Sequence, residues 1–413
     1  MSPTLAAANR EFARTHPGES AARQPVHTVY GGAHLFHGDV SRKMGALAER
    51  ALNEYAPGAP ALARVLDFPD RLAETVFARL LAKLRTEPVE DFHIDFEDGY
   101  GVRSDQEEDA AAARCAEEMA SAPALPPFVG IRIKPLNQEC AARSIRTLDL
   151  FCNSLAKIPA NFSVVLPKIT VVEQVSALAD LLDNHGIARM EIMIETAQSL
   201  WLLPRLIEAG RGKIIAAHFG PYDYTASLGI ARQTILHPAC DWARATMQSQ
   251  LAGTGVRLAD GPTNVMPVPL YRGESITPLQ IEENRAAVHR GWKLHYDHVR
   301  HALIHGFYQG WDLHPAQLIP RFAAVYTFFL EDLDEASARL KNFIAKGARS
   351  TTVAGVFDDA ATGQGLLNYF LRAINCGAIA ESEIAALTGV PLEDLRAGSF
   401  ARIIAARSRE KTA

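Results

Sequence analysis

Eight short apolar, β-rich runs alternate with longer amphipathic stretches across residues 26–315, and this alternation constrains the fold more than any other feature of the chain. The runs cover 26–36, 92–96, 128–135, 162–169, 189–196, 213–220, 255–262 and 305–315. Intervening segments such as 173–182, 200–208 and 281–304 are each long enough for a crossover helix. Strand–helix alternation of this kind builds a parallel sheet, and eight units close into a (β/α)8 TIM barrel. An open doubly wound sheet is the other arrangement, but Gly31-Gly32-Ala33 lacks the continuation of a glycine-rich phosphate turn. Residues 1–25 read as an N-terminal arm, 26–320 as the catalytic barrel and 321–413 as a C-terminal helical extension or lid. Within the extension the pattern predicts one long helix over 322–346, a glycine-punctuated loop at 354–359, and helices near 366–374 and 382–387.

The charged residues sit where these runs stop: Asp95, Glu97 and Asp98; Arg132 and Lys134; Lys168; Glu195; Asp223; Asp260; Asp312 and His314. In a barrel, catalytic groups come from the C-terminal strand ends and the loops after them. A charge in an Ile/Val/Met strand is costly to bury unless it is paired or binds a metal. Each group alone could be a solvated end or a salt bridge; together they read as a site. Glu195 and Asp223 follow adjacent strands, the latter after the Gly220-Pro221 turn, within reach of one hard cation. Two carboxylates with several waters suit Mg2+. Such an ion chelates a 2-keto acid and stabilises the enolate left when the neighbouring C–C bond breaks. Arg132 would offer a fixed fork to a carboxylate or enolate oxygen, and Asp95, Glu97 and Asp98 would hold the metal's waters. Lys168 either neutralises this acidic cluster or reaches substrate, with Gly220 and Pro221 beside it.

Composition narrows the class further. The 413 residues are 48% apolar and 22% charged, enough for a barrel core without disulfides. With 42 Lys+Arg against 47 Asp+Glu the net charge is −5, which asks for neither nucleic acid nor an anionic membrane. The five cysteines (Cys115, Cys140, Cys152, Cys240, Cys376) are odd in number and never form CxxC, as expected of reduced thiols in a cytoplasmic protein. Glu11, Arg14 and His16 precede any apolar stretch, so no secretory leader is expected. No apolar run approaches the ~18 residues of a membrane span.

Short motifs then resemble a known family in order. They are Asp95-Phe96-Glu97-Asp98, Gly130-Ile131-Arg132-Ile133, Leu166-Pro167-Lys168, Ile194-Glu195-Thr196-Ala197 and Phe219-Gly220-Pro221-Tyr222-Asp223 with Leu228-Gly229. Asp260-Gly261-Pro262 and His314-Pro315-Ala316-Gln317 complete the series. The chain resembles the citrate lyase β-subunit-like, metal-dependent hydroxy-keto-acid aldolases of the phosphoenolpyruvate/pyruvate barrel superfamily. That resemblance implies a (β/α)8 barrel, Mg2+ on Glu195 and Asp223, Arg132 on the substrate, and lyase chemistry on a hydroxy-acid or its CoA thioester. It also implies a homo-oligomer, a trimer or hexamer, in which a lid aspartate enters the neighbouring subunit's site. Asp358 of Gly355-Val356-Phe357-Asp358 is similar to that group, with Asp359 as alternate; a helix N-cap before Ala360 is the competing reading. A malyl-type CoA thioesterase on the same site is the second enzymatic reading.

Three departures favour a free keto-acid or hydroxy-acid over a CoA ester. The first strand reads Thr28-Val29-Tyr30-Gly31-Gly32, the stretch 36–91 is long, and Trp311-Asp312 stands where the family has a lysine. Helix 281–304 with the residue just beyond it carries His289, His295, His298, His301 and His305; it lacks the Glu of HExxH and reads as a solvated or interface face on the barrel's outside. Met190 and Met193 read as barrel core. Residues 384–393, with Arg396, Arg402, Arg407, Arg409 and Lys411 beyond, read like a DNA-binding helix-turn-helix on a ligand-sensing barrel. Leu392-Glu393-Asp394 at its second helix would repel phosphate.

Overall fold

All eight runs form strands in the computed structural model, which describes residues 2–18, 20, 22–273, 275–345, 351–353, 356–358 and 360–396. The strands are β1 (His27–Gly32), β2 (Asp91–Asp95), β3 (Phe128–Arg132), β4 (Phe162–Leu166), β5 (Met190–Ile194), β6 (Ile214–Phe219), β7 (Arg257–Ala259) and β8 (Gly310–Asp312). They pair in parallel in the order β7-β6-β5-β4-β3-β2-β1-β8. A bridge between Ala259 and Gln309 closes the ring, reinforced by the Asp260 N–H donating to the Gln309 carbonyl at 2.8 Å. The architecture is the expected (β/α)8 barrel with helices following it.

Period-two alternation decides which side chains meet. Val29, Ile94, Ile131, Val164, Ile192 and Ala217 face outward and are buried under the helices. Tyr30, Val165, Met193 and Trp311 form a separate apolar cluster inside the ring. Met193 therefore fills the interior, while Met190 belongs to the outer core.

Three helices (Val40–Tyr55, Ala59–Leu66 and Ala73–Thr86) occupy the first crossover and account for its length. At the other end, the single helix expected over 322–346 is two, Leu318–Glu331 and Leu333–Ala345. The break falls in the run Glu331-Asp332-Leu333-Asp334-Glu335. Carboxylates are unfavourable at a helix C-terminus and favourable in a first turn, so the acidic run ends one helix and begins the next. Leu318–Glu331 is nearly all buried and packs against Ala73–Thr86 and Pro278–Ile304. It follows β8 and packs on the barrel's outer helices, as the helix after a strand does in a (β/α)8 ring.

The N-terminal helix Pro3–Thr15 buries no residue. The chain after it is tied down by the Gly18 N–H to the Gly253 carbonyl (2.8 Å) and by Arg23 against Glu87 and Glu90. Beyond the ring, β9 (Thr351–Val353) and β10 (Val356–Asp358) pair antiparallel and the helix Ala360–Asn375 follows. In the segment resembling a helix-turn-helix, Ile384–Thr388 and Leu392–Arg396 are five residues each, with Gly389 left-handed between them (φ 68°). Ile384, Val390 and Leu395 are buried in the main core, so this segment is packed down. Arg402, Arg407, Arg409 and Lys411 lie outside the described residues. The cysteines are unpaired, and no described helix is long and apolar enough to cross a membrane.

Candidate active site

The C-terminal mouth of the barrel gathers Asp95, Glu97, Asp98, Arg132, Lys168, Glu195 and Asp223. Arg132 ends β3 beside Asp95 at the end of β2, since these two are register partners. Its Nε donates to Asp95 Oδ1 at 2.7 Å and its Nη2 to Oδ2, a two-pronged pair. The same carboxylate accepts the Glu97 N–H (2.9 Å) and the Gly99 N–H (2.7 Å), folding the loop after β2 back over the strand. Asp95 thus orients Arg132 and caps a loop. Its two oxygens together accept four N–H donors.

Below Arg132 lies Tyr30, its ring centroid 4.8 Å from the guanidinium carbon. The fork keeps one side toward Glu97, whose Oε2 is 3.3 Å from Nη1. That buried oxygen has no hydrogen-bond partner. Lys168 reaches both Glu97 and Asp98 (3.0 Å), and its Nζ is 3.9 Å from Asp223 Oδ2. Its backbone is left-handed (φ 50°), rare for a residue with a side chain, and this turn aims its N–H at Glu195 Oε1 (2.7 Å). Lys168 thus pairs with the acidic cluster of Glu97, Asp98 and Asp223.

Glu195 follows β5 and is buried, whereas Asp223, in the first turn of the helix Pro221–Ser227, is half exposed. Burial pushes the Glu195 carboxyl up to about 7; Lys168 and Arg132 pull against this and the Asp223 charge adds to it. Burial also raises Glu97 despite Arg132 and Lys168. For Asp98 burial pushes upward, but its bond with Glu97 and the Lys168 charge outweigh it and lower it. Gly220 is needed here because a Cβ would sit 2.6 Å from Glu195 Oε2 and 2.5 Å from Glu195 Cβ. Gly261 in turn leaves room for Pro221, whose Cδ would be 2.1 Å from a Cβ. An all-oxygen donor pair, one member buried and the other half exposed, fits a hard divalent cation.

Other strand-end charges leave the mouth. Asp312 alternates outward and is gripped by Arg321, His27 (2.7 Å) and His295 (2.9 Å). Asp260 accepts both of its 3.0 Å contacts from Arg244. Lys134 bonds Glu108 and the Phe96 carbonyl, and His314 Nδ1 accepts the Ala316 N–H. These four pin outer helices and loops. The expected solvated face of helix Pro278–Ile304 is corrected as well. His295 is fully buried between Thr263 (2.8 Å) and Asp312, His298 bonds Thr263 (2.9 Å), and His289 bonds the Tyr55 carbonyl (2.7 Å). The helix is enclosed on several sides, so its polar residues need internal partners. The description of Asp358 covers its backbone at the end of β10, and Asp359 lies outside the described residues.

Beneath the mouth is a polar interior that the sequence reading passed over. Trp311 Nε1–H donates to His218 Nδ1 at 2.9 Å. An indole N–H can only donate, so Nδ1 holds its lone pair and Nε2–H is directed at Glu191 Oε2. Ser163 donates to Glu191 Oε1 (2.9 Å), and Thr28 donates to Asp91 Oδ2 (2.7 Å). Asp91 Oδ1 and His93 Nδ1 have no hydrogen-bond partner. Burial and the Glu191 charge push Asp91 up to about 7. Burial opposes ionisation of Glu191 too, but His93 and His218 outweigh it and hold that carboxyl low. Of the two, Glu191 is the one held toward its charged form and Asp91 the one pushed toward its protonated form. The signal was available: His93, Glu191 and His218 are polar residues on the inward period of apolar strands.

The fold has counterparts among solved structures. A citrate lyase from Burkholderia xenovorans LB400 superposes with a TM-score of 0.56 at 18% identity, covering 89% of this chain and 96% of that one. The citrate lyase beta subunit from M. tuberculosis, complexed with oxaloacetate and magnesium, gives 0.44 at 16%, covering 74% and 98%. Malate synthase from Haloferax volcanii gives 0.48 at 12%, covering 79% and 93%. The first of these shows a shared fold, and the resemblance expected from the motifs holds at that level. No curated protein matches the sequence. A family model described as "Domain of unknown function (DUF6986)" matches residues 5–403, and the chain belongs to that family.

Proposed function

We propose that the chain is a Mg2+-dependent carbon–carbon lyase of the aldolase or citrate lyase type, acting on a small hydroxy-acid or keto-acid. The observation that carries this reading is the buried Glu195 carboxylate at the barrel mouth beside the half-exposed Asp223, the two joined through Lys168, whose N–H meets Glu195 Oε1 at 2.7 Å and whose Nζ lies 3.9 Å from Asp223 Oδ2. Those two residues would hold the ion. When bound, Mg2+ supplies a hard Lewis acid able to chelate a 2-keto acid and carry the charge of an enolate. The chain's own residues do the rest. Arg132, fixed by Asp95 and Tyr30, presents its remaining N–H donors to a substrate oxygen. Lys168 keeps Glu97 and Asp98 from repelling an anionic substrate. Glu97, raised by burial, is placed to hold a proton near Arg132. Gly220 lies against Glu195, and Pro221, which follows it, is proposed with it to line the substrate side. Asp358 is proposed as an acid/base group delivered by a second copy, which would require a homo-oligomer.

The test is product analysis on candidate hydroxy-acids with and without Mg2+, together with Glu195→Ala and Asp223→Ala. Cleavage to a new keto-acid that needs Mg2+ and is lost by at least about 10³-fold in both variants is expected, with the circular dichroism unchanged. Turnover that persists in metal-free protein would refute the reading.

A further inference from the structure

Away from the mouth, the pair His301 and His305 gains a third partner that the sequence could not supply. Helix Pro238–Leu251 places Asp241 against the last turn of helix Pro278–Ile304, with Asp241 Oδ1 2.8 Å from His301 Nε2. The His301 and His305 rings are 4.2 Å apart between centroids, and one ligand atom from each of the three residues lies within 4.8 Å of the others. All three are partly open to solvent.

We propose that Asp241, His301 and His305 bind a divalent transition-metal ion of the Zn2+ class on the outside of the barrel, separate from the hard-cation site at its mouth. Two imidazoles four residues apart on one helical face, plus a carboxylate, make a three-ligand set that leaves positions for water. A second observation points the same way. His305 Nδ1 lies 2.9 Å from the His301 carbonyl, which can only accept, so Nδ1 carries the proton. The lone pair is then on Nε2, the arrangement a metal-binding histidine has when its other nitrogen is anchored.

Arg244 is the one cation against this cluster among the described residues, its Nη1 2.8 Å from Asp241 Oδ1. Arg244 is held in place by Nε on Asp260 and Nη2 on the Ile235 carbonyl (2.9 Å); Asp241 Oδ1 accepts from both its Nη1 and His301 Nε2–H, and a metal ion would displace that His301 proton. Arg244 orients the Asp241 carboxylate, as the hydrogen-bonded partners of ligating carboxylates do. Imidazole nitrogens suit Zn2+, Co2+ or Ni2+ and are poor ligands for Mg2+, so the two sites select different ions.

The experiment is calorimetric titration of Zn2+ into the full chain carrying Glu195→Ala, in excess Mg2+, so that failure of the mouth site cannot affect the outcome. One bound Zn2+ is expected. His305→Ala and Asp241→Asn should each weaken it by at least about tenfold. His289→Ala, on the same helix but bonded to Tyr55, should leave it unchanged. Co2+ in place of Zn2+ should give visible absorption bands that His301→Ala removes. Circular dichroism checks each fold, and His305→Gln replaces His305→Ala if the latter does not fold. Absence of Zn2+ uptake, or uptake unaltered by the His305 and Asp241 substitutions, overturns the proposal.

Discussion

Two acidic clusters stack along the barrel axis, and they are built in opposite ways. At the mouth, five carboxylates (Asp95, Glu97, Asp98, Glu195, Asp223) face two cations, Arg132 and Lys168. One side is open, Glu97 Oε2 lacks a hydrogen bond, and Glu195 is pushed toward neutrality. One layer below, Asp91 and Glu191 are sealed among His93, His218, Ser163, Thr28 and Trp311. There the charge problem is met by close neighbours: His93, His218 and Arg257 hold the Glu191 carboxyl low, while burial and the Glu191 charge push Asp91 up. An acidic group with a solvent path and an unmet charge can take a ligand; the same group sealed among donors is framework.

The largest expected effect tests whether the mouth's charges are as interdependent as their geometry implies. Arg132→Ala leaves Asp95 buried with two N–H donors fewer, and should cost about 3–5 kcal/mol in urea unfolding. Arg132→Lys keeps the charge and loses the fork, and should recover stability only in part. A loss under about 1 kcal/mol for Arg132→Ala would mean Asp95 is satisfied by its loop alone.

The interior cluster makes a pH prediction of opposite sense to the usual carboxylate. Asp91 is raised in the folded state, so its stabilising contribution is full below its unfolded value and is lost as pH rises through about 7. The stability difference between the native chain and Asp91→Asn should therefore shrink between about pH 4 and pH 7, by at most on the order of 3 kcal/mol. A flat difference across that window would place the proton elsewhere.

Gly220→Ala pushes a methyl into Glu195. It should lower stability by about 1–3 kcal/mol and weaken Mg2+ binding by about tenfold, read by calorimetry. Unchanged Mg2+ affinity would detach Glu195 from the ion. Trp311→Phe, the smallest, removes the donor to His218 Nδ1 and should cost about 1 kcal/mol. Nitrogen chemical shifts of His218 would then report a changed tautomer balance, with the mouth untouched.

The strands were readable because each is a run of apolar residues with a polar stop. Glu195, Asp223, Arg132 and Lys168 were readable for the same reason, since a charge ending such a run has few bland explanations. Asp312 and Asp260 carried the same signal and proved to be anchors, because whether a strand-end residue faces the mouth or the helices depends on one step of register. The break at Asp332 was obscured by continuous helical periodicity across two helices. His93, Glu191 and His218 were hidden by their neighbours, as apolar flanks made the whole run read as core.

By itself the sequence determined the number of strand–helix units, their parallel pairing, and the residue types available at the strand ends. Those follow from local periodicity, which needs no knowledge of distant partners. Only the tertiary structure decided that Asp95 grips Arg132, that Tyr30 lies beneath it, that Glu191 and Asp91 share one sealed network, and that Asp241 meets His301. Each of these joins residues far apart in the chain, and closing the barrel is what brings them within a few ångströms.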